Sequence, residues 1–289
     1  MLIGAHALVF TGTFDESGVR NAIERTKAAG FDLIEIPLMD PDHFDSSMAA
    51  HILRDNDLAV TASLGLTEHT DLSSTDPSIV ARGESELEKC LDHVATMGGD
   101  TLCGVIYSAM RKYPAPPTEA GTAASAAAID RVARKAAERG IRLSLEVVNR
   151  YESNVFNTAR GAVTYLDRLR SDNVSVHLDT YHMNIEESDQ FGAVLDAGDR
   201  LGYVHIGESH RGYLGSGTVD FDGFFRGLAR IGYDGPVVFE SFSSAVVNAD
   251  LSNTLAIWRN LWEDSDDLAA HANRFIRDRI HGVDSIAMH

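Results

Sequence analysis

Cysteine is scarce in this chain, since only Cys90 and Cys103 occur among 289 residues. Neither belongs to a Cys-x-x-Cys pair or to another spacing that is typical of metal-binding thiols. The pattern therefore gives no support for a disulfide framework or a thiolate metal site. Both cysteines are expected to be small buried apolar residues in a reducing compartment.

Long apolar runs and a basic leader segment are also missing. The N-terminal segment MLIGAHALVF has no basic region ahead of its apolar residues. No apolar run approaches the ~20 residues that a membrane-spanning helix needs. We therefore expect neither a signal peptide nor a transmembrane helix, and a cytoplasmic location.

Basic residues are few in comparison with acidic residues. Lys and Arg number 25 against 43 Asp and Glu, which gives a formal net charge of −18. Such a surface repels nucleic-acid phosphates and anionic lipids, whereas a neutral sugar feels little of this field. The charge therefore predicts no nucleic-acid and no membrane partner, and solubility alone is a sufficient explanation for it.

One pattern recurs along the chain: a helical stretch ends in Gly or Asn-Asp, and a short run rich in Val, Ile and Leu follows. Examples are KAAGFDLIEIP, RDNDLAVTASLG and AERGIRLSLEV. Glycine supplies the left-handed end of a helix, and the short apolar runs suit buried parallel strands. The predicted strands fall near residues 2–7, 31–36, 58–64, 101–106, 141–146, 174–178, 202–206 and 236–240. The predicted helices fall at about 16–29, 45–55, 77–97, 118–139, 158–171, 187–198, 220–231 and 249–280.

Eight strand–helix units without a linker predict an α/β fold, a single (β/α)8 TIM barrel domain over residues 1–289. The length agrees, because a barrel of this kind needs roughly 250 residues. The C-terminal tail from about residue 282 need not be ordered. A doubly wound sheet is the alternative, and it would spread strand-end residues along a crevice instead of around one mouth.

Four polar residues end the last four predicted strands, where the chain should be most apolar. They are Glu146 in LSLEVVNRYE, Asp179 in VSVHLDTYHMN, His205 in YVHIGESHR and Glu240 in PVVFES. Burying such groups beside Val, Leu and Ile costs several kcal/mol unless something compensates them. A divalent cation is the simplest compensation, and three oxygens with one nitrogen suit Mn²⁺, Co²⁺ or Mg²⁺ better than a structural zinc.

Each of these residues has an ordinary explanation when it is taken alone. A strand-end glutamate is more often solvated or salt-bridged than catalytic, and Asp179 alone would serve as a helix cap. Their joint placement, one on each of four successive strands, is the observation that favours a shared metal.

Further polar residues follow these strand ends. Glu152 and His182 lie where they would hydrogen-bond ligand hydroxyls, and Arg211 would hold a ketone or alkoxide oxygen. A surface-loop arginine is the ordinary alternative for Arg211. His177 precedes Asp179 by two residues, so it is expected on the same strand face but one layer deeper.

Two segments are longer than a normal connection after a barrel strand. Residues 107–121 are expected to form a lid or wall, and residues 207–221 a loop that contacts substrate. For either loop taken alone, an irregular surface segment is the favoured interpretation. His6, at the end of the first strand, is a candidate for the pocket lining.

These residues favour proton-transfer chemistry on a sugar. A cation that chelates a ketone and its neighbouring hydroxyl acidifies the C–H bond between them, and two carboxylates on opposite sides can remove and return a proton. Hydrolysis by an activated water is a competing interpretation. The chain shows no serine nucleophile elbow, no glycine-rich phosphate loop and no nicotinamide fingerprint, so covalent and hydride mechanisms are less favoured.

The strings LEVVNRYE, HLDTYHMNIEE, HIGESHR and GYDGPVVFES closely resemble the D-tagatose 3-epimerase family. That family includes D-psicose (D-allulose) and L-ribulose 3-epimerases and belongs to the xylose isomerase-like barrels. The resemblance runs from IGAHALVF to the final helix. It implies a site for one Mn²⁺ or Co²⁺ ion per subunit, with Glu146 and Glu240 also acting as the acid/base pair at C3 of a ketose. The implied metal ligands are Glu146, Asp179, His205 and Glu240.

The resemblance also implies substrate contacts and an assembly. It assigns Glu152, His182 and Arg211 to hydroxyls near C1 to C3, and its members are typically homodimers or homotetramers. The chain departs from the family around C4 to C6, so the preferred ketose is not implied. The outer-pocket positions are His6 in place of a common aromatic residue, Ser63 in place of cysteine, Met110 in place of tryptophan, and Phe242 on the same apolar wall.

Residues and resemblance together predict a metal-dependent isomerase that interconverts C3 epimers of free ketoses through an enediolate. The candidate pairs are D-fructose/D-psicose, D-tagatose/D-sorbose and L-ribulose/L-xylulose. The alternatives are an aldose–ketose isomerase of the same barrel type and a non-catalytic sugar-binding barrel. A phosphodiesterase is disfavoured by the acidity of the chain and by the small number of histidines at strand ends.

Overall fold

Eight parallel strands close into a barrel in the computed structural model, which describes the backbone of residues 1–287 and the side chains of residues 1–283. Each strand is hydrogen-bonded to the next strand along the chain, and the eighth pairs with the first. The TIM-barrel prediction is therefore confirmed, and the doubly wound alternative is wrong. The strands are β1 (Ile3–His6), β2 (Leu33–Pro37), β3 (Ala59–Ser63), β4 (Thr101–Gly104), β5 (Arg142–Val147), β6 (Val174–Asp179), β7 (Leu201–Ile206) and β8 (Val237–Phe239).

Helices alternate with these strands. Most predicted helices agree with the structure to within two residues, but the helix predicted at 158–171 ends early and a short additional helix directly follows β6. The helices within the described residues are α1 (Glu16–Ala28), α2 (Ser46–Asp55), α3 (Pro77–Met97), α4 (Glu119–Ala137), α5 (Ala159–Leu166), α6 (Thr180–Glu186), α7 (Gln190–Ala197), α8 (Phe221–Ile231), α9 (Ala249–Thr254) and α10 (Ser265–Ala287).

The prediction of one helix over residues 249–280 is wrong. After α9 the backbone of Ala256 adopts a left-handed φ of 54°, and helical structure resumes only with α10. Two backbone N–H groups in the first turn of α10 donate to Oδ1 of Asp264, so this carboxylate caps a new helix. Residues 255–264 are therefore a connection between two helices, and part of this connection lines the pocket at the barrel mouth.

Local caps explain where many helices begin and end. Asp45, Asp76 and Asp220 each accept a hydrogen bond from a backbone N–H in the first turn of the following helix. Gly98 and Gly232 end α3 and α8 in the left-handed conformation that glycine adopts without strain. The glycine pattern of the sequence thus marks real helix ends.

The strand register places the predicted site residues side by side. Asp179 on β6 is in register with His205 on β7, and Glu146 on β5 is in register with His177 on β6. The side chains of these two pairs are all buried. Because residues in register on parallel strands point to the same face, the barrel carries these polar groups in its interior at the carboxyl ends of its strands.

The final helix α10 continues past residue 282, where the sequence predicts a tail, and it runs to Ala287. Residues 288–289 lie outside the described residues. Within the part of the chain that the structure describes, no helix combines the length and the apolar character needed to cross a bilayer.

Gly104 closes β4 in a conformation that only glycine adopts easily. Its φ is +109°, and a Cβ atom there would lie 2.4 Å from the carbonyl oxygen of Leu64. Gly140 provides a matched control, because its φ is +69° but a Cβ would meet no described atom within 4 Å. We expect Gly140→Ala to lower the free energy of unfolding by about 1–2 kcal/mol, the cost of a left-handed backbone for a residue with a Cβ. Gly104→Ala adds a steric clash, so it should lower the free energy of unfolding, and hence the Tm, considerably more. Calorimetry of the two variants measures this, and equal Tm shifts would contradict it.

Candidate metal centre and active site

Four side chains converge at the carboxyl-end mouth of the barrel. Glu146 lies near the end of β5, Asp179 ends β6, His205 lies near the end of β7, and Glu240 directly follows β8. One potential ligand atom from each lies within 4.8 Å of the other three, and all four residues are buried. Three carboxylate oxygens and one imidazole nitrogen form a donor set that suits a hard or borderline divalent cation.

The Nδ1 atom of His205 tests whether these residues fit such an ion. It is buried and has no hydrogen-bond partner among the described residues. It nevertheless lies 3.8 Å from Oε1 of Glu146 and 3.5 Å from Oε1 of Glu240. A buried polar atom without a partner is costly, whereas an imidazole nitrogen beside two carboxylates is a familiar ligand set. The cluster therefore fits a divalent cation.

Two of the three acidic groups in the cluster, Glu146 and Glu240, have raised pKa values, chiefly because they are buried. Burial raises the pKa of Glu146 well above its ordinary value, and the charges of Glu240 and Asp179 also act to raise it while His205 acts to lower it. Burial raises the pKa of Glu240 to about 7, in spite of the opposing effects of Arg211 and His205. These carboxyl groups therefore resist ionisation together unless more positive charge is brought among them.

His182 faces the same cluster from α6. Its Nδ1 accepts a hydrogen bond from the backbone N–H of Asn149 at 3.2 Å, so Nε2 carries the ring hydrogen when the imidazole is neutral. This Nε2 lies 3.6 Å from Oε1 of Glu146, 3.8 Å from Oδ2 of Asp179 and 3.9 Å from Oε2 of Glu152. The ring is thereby held with its donor nitrogen toward the three carboxylates that line this side of the pocket.

Arg211 lies against the other side of the cluster. Its Nη1 donates to Oδ2 of Asp179 at 3.1 Å and to Oε2 of Glu240 at 2.5 Å. The guanidinium carbon lies 3.9 Å from the ring centre of Tyr181 and 5.0 Å from that of Phe242. Charge-assisted hydrogen bonds and the two aromatic rings thus hold a cationic donor group at the edge of the pocket.

The loop that carries Arg211 is organised around the buried carboxylate of Glu208. This carboxylate accepts hydrogen bonds from the backbone N–H groups of Ser209 at 2.8 Å, Gly215 at 2.9 Å and Val219 at 3.3 Å. The backbone N–H of Arg211 donates to the carbonyl oxygen of Glu208, and Arg211 itself has a left-handed φ of 61°. The hydrogen bonds of Glu208 thus anchor the loop predicted at 207–221, in which the backbone of Arg211 is left-handed.

A pocket of about 260 Å³ lies at the barrel mouth, and its lining includes Glu146, His182, His205, Arg211 and Glu240. Its lining also includes Glu152, and all four outer-pocket residues that the sequence predicts lie in its wall. Oγ of Ser63 lies 3.5 Å from Nε2 of His6, and the ring of Phe242 stands edge-on to that of His6 at a centroid distance of 5.8 Å. Burial lowers the pKa of His6 to about 4, so this imidazole is neutral at physiological pH. The predicted wall residues are His6, Ser63, Met110 and Phe242.

The segment predicted as a lid or wall, residues 107–121, contributes Met110 to the pocket. The backbone N–H of Met110 donates to the carbonyl oxygen of Leu66 at 2.7 Å. The next N–H, that of Arg111, donates to the carbonyl oxygen of Glu152 at 2.8 Å. This part of the segment is therefore tied to two neighbouring loops and forms a wall of the pocket.

The connection between α9 and α10 also lines the pocket, with Leu255, Ile257 and Trp258 among its contacts. Sequence reasoning misses these residues because it places a continuous helix there. The signal that could have found the break is the run DSDD, in which Asp264 is a suitable helix cap.

Sequence reasoning also misses Glu35, which is fully buried on β2. Its Oε2 lies 2.7 Å from Nε2 of His205 and accepts a hydrogen bond from the hydroxyl of Tyr203 at 2.8 Å. The signal is present in LIEIP, where a glutamate stands between two isoleucines of a strand. His177 is buried beside the same site, with its ring edge-on to that of His205 at a centroid distance of 4.2 Å.

Comparison with known proteins identifies the family. The sequence profile of the xylose isomerase-like TIM barrels matches residues 23–279. A ketose 3-epimerase of Arthrobacter globiformis is 58% identical over 289 residues, which cover 100% of each chain. The chain belongs to the ketose 3-epimerases. The family that the four sequence strings resemble is thereby confirmed, and the chain is an enzyme of the isomerase class.

Other relatives extend this result to structure. An L-ribulose 3-epimerase of Methylomonas sp. (strain DH-1) is 53% identical over 276 residues, which cover 96% of each chain. The crystal structure of a D-allulose 3-epimerase from Methylomonas sp. in complex with D-allulose superposes with a TM-score of 0.95 at 53% identity, covering 96% of this chain and 97% of the other. The barrel of this ketose 3-epimerase is therefore shared with a relative that binds a ketose.

Glu208→Gln replaces a carboxylate that serves three backbone N–H groups with an amide that has one oxygen. We expect kcat/KM for ketose epimerisation to fall by about tenfold or more, because the loop no longer holds the Arg211 guanidinium in place. Asp130→Asn is the matched control, since Asp130 accepts the backbone N–H groups of Arg170 and Ser171 outside the pocket. Steady-state kinetics compare the two, and equal losses would show that the effect is not specific to the loop.

Proposed function

We propose that Glu146, Asp179, His205 and Glu240 hold one divalent cation, and that Glu146 and Glu240 are the acid/base pair at C3 of a ketose. The observation that supports this proposal most strongly is the position of the two glutamates. Their Oε1 atoms flank Nδ1 of His205 from β5 and from the residue after β8, which are three strands apart around the barrel. A sugar bound between them would present one face to each carboxylate.

In the proposed mechanism the two glutamates exchange a proton with C3. A bound divalent cation would supply Lewis acidity that draws electrons from the ketone and makes the neighbouring C–H bond more acidic. One glutamate, as carboxylate, removes the proton from one face of C3. The other glutamate, as carboxylic acid, delivers a proton to the opposite face, which inverts the carbon. The two residues exchange roles when the opposite epimer is bound.

The surrounding donors orient the substrate and stabilise charge in this proposal. Arg211 holds a ketone or alkoxide oxygen, so its guanidinium stabilises the negative charge that develops when C3 loses its proton. Nε2 of His182 donates to a hydroxyl near C1 to C3. Glu152, whose side chain is 30% exposed, accepts from another hydroxyl at the same end of the sugar.

We propose a neutral five- or six-carbon ketose as the substrate. The pocket wall away from the cluster contains Leu8, Met110, Phe242, Leu251 and Leu255, which make few directional contacts. An apolar wall discriminates only weakly among hydroxyl arrangements at C4 to C6. The candidate pairs remain D-fructose/D-psicose, D-tagatose/D-sorbose and L-ribulose/L-xylulose, and a panel of ketohexoses and ketopentoses ranks them.

We also propose the ion, the assembly and the location. Mn²⁺ or Co²⁺ suits a site with one imidazole and three carboxylates, and Mg²⁺ is the harder alternative. A homodimer or homotetramer is proposed from the family resemblance, and light scattering measures it. A cytoplasmic location is proposed because Cys90 and Cys103 are buried free thiols, as expected in a reducing compartment.

Product analysis with D-fructose in D₂O tests the proposed reaction. We expect D-psicose with deuterium at C3, because proton removal and return at that carbon is the proposed step. Glucose or mannose would instead support an aldose–ketose isomerase. Binding without any deuterium at C3 would support a non-catalytic sugar-binding barrel.

Substitution of the two glutamates tests their roles in the same assay. We expect Glu146→Gln and Glu240→Gln each to lower kcat by about 10²–10⁴-fold, the range for loss of a general acid or base. Metal content is measured on the same samples, so that the loss is expressed per metal-loaded site. Normal turnover in either variant would remove that residue from the acid/base pair.

Removal of metal by a chelator tests the proposed cation. Because an ion that binds only the folded state stabilises it by mass action, Mn²⁺ or Co²⁺ at 100 times its Kd should raise the Tm by about 5 °C above that of the chelated protein. Activity should disappear on chelation and return with the ion. An unchanged Tm together with full activity in chelator would rule out the metal site.

A further inference from the structure

A buried carboxylate lies behind the proposed metal ligand His205, on the side away from the cluster. Glu35 has no exposed surface, and its strand β2 lies across the barrel from β7. Oε2 of Glu35 is 2.7 Å from Nε2 of His205, whereas Nδ1 of the same ring faces Glu146 and Glu240. The imidazole therefore stands between the carboxylate of Glu35 and the four-residue cluster.

We propose that Glu35 is a positioning residue that keeps the hydrogen of His205 on Nε2 and so presents the Nδ1 lone pair to the metal. This inference rests on the proposed metal site. An imidazole binds a cation through one nitrogen only when that nitrogen carries no hydrogen, and a carboxylate on the other nitrogen selects this tautomer. The same contact fixes the rotation of the ring and increases the basicity of the ligating nitrogen.

The carboxylate of Glu35 is itself held in a fixed orientation. Oε2 also accepts a hydrogen bond from the Tyr203 hydroxyl at 2.8 Å. The phenol oxygen lies 2.6 Å from Oγ1 of Thr61, which donates to it because the phenol hydrogen is used by Glu35. A chain from Thr61 through Tyr203 thus sets where Glu35 meets the imidazole of His205.

The second oxygen of Glu35 lies near His6. Nδ1 of His6 accepts the backbone N–H of Leu8 at 3.2 Å, so the hydrogen of the neutral ring lies on Nε2. That Nε2 lies 3.4 Å from Oε1 of Glu35. Oε1 makes no hydrogen bond within the described residues, and the His6 ring is the nearby polar group that faces it. Glu35 also links the pocket residue His6 to the proposed ligand His205.

Packing alone does not require a carboxylate at this position. The flanking residues Ile34 and Ile36 belong to the main core but point to the opposite face of β2. A leucine or methionine would fill a similar volume on the Glu35 face without the need for the two hydrogen-bonding partners Tyr203 and His205. The donors gathered around Glu35 thus favour a role in orienting the ring of His205 over a role in packing.

Titration of the metal-free protein with Mn²⁺ in a calorimeter tests the inference. We expect Glu35→Gln to weaken Mn²⁺ binding by about 10- to 100-fold, the usual effect of losing the carboxylate partner of a metal-binding histidine. Asp71→Asn is the matched control, because Asp71 is a buried carboxylate that serves Ser73, Ala109 and Tyr113 and makes no contact with His205. Its Mn²⁺ affinity should equal that of the wild type.

A spectroscopic measurement separates positioning from general stability. In the Mg²⁺-loaded wild type, the Nε2 proton of His205 should resonate far downfield, because it is shared with a carboxylate at short distance. This resonance should move upfield in Glu35→Gln and stay in place in Asp71→Asn. Should Glu35→Gln not fold, Tyr203→Phe takes its place, with an expected two- to tenfold weaker Kd, roughly the contribution of one hydrogen bond.

The outcomes distinguish this inference from the proposed metal site. If wild-type protein binds no Mn²⁺, the metal site itself fails and the inference fails with it. If the wild type binds Mn²⁺ and Glu35→Gln (or, in its place, Tyr203→Phe) binds it equally well with an unmoved Nε2 resonance, the positioning role is overturned while the metal site stands. Weaker binding with a shifted resonance supports the inference.

Discussion

Repulsion among buried carboxylates at the barrel mouth is the constraint on which the rest of this structure depends. Glu146, Asp179 and Glu240 bring negative charge to one place that little solvent reaches. The chain supplies part of the opposing charge through Arg211, which contacts two of the three carboxylates from one side. Uncompensated charges of this kind destabilise a fold, so the proposed cation has a structural as well as a chemical reason to be there.

The strands and the segments that follow them position different groups around this cluster. The proposed metal ligands come from strand ends, whose positions are fixed by the hydrogen-bonded barrel. The groups proposed to hold the sugar come from segments that follow the strands and have their own polar anchors, such as Glu208 for the loop residue Arg211 and Asn149 for His182 on α6. Anchored segments on a rigid barrel thus hold the proposed sugar-binding groups at fixed distances from the proposed metal ligands.

The successes and failures of sequence prediction have a common physical cause. The barrel is predictable because each strand–helix unit is specified locally, by apolar runs and by helix ends such as Gly98 and Gly232. The long helix at 249–280 is wrong because helical propensity does not reveal the left-handed φ of Ala256. Glu35 is missed because its partner His205 lies 170 residues further along the chain.

By itself, the sequence determined the order of the eight strand–helix units, the family resemblance, and the presence of one polar residue at each of the last four strand ends. All of these depend on short-range patterns. Only the tertiary structure decided which groups are neighbours: Arg211 against Asp179 and Glu240, and Glu35 behind His205. Barrel closure and loop paths set these distances, because they bring together residues whose separation along the chain carries no information about their separation in space.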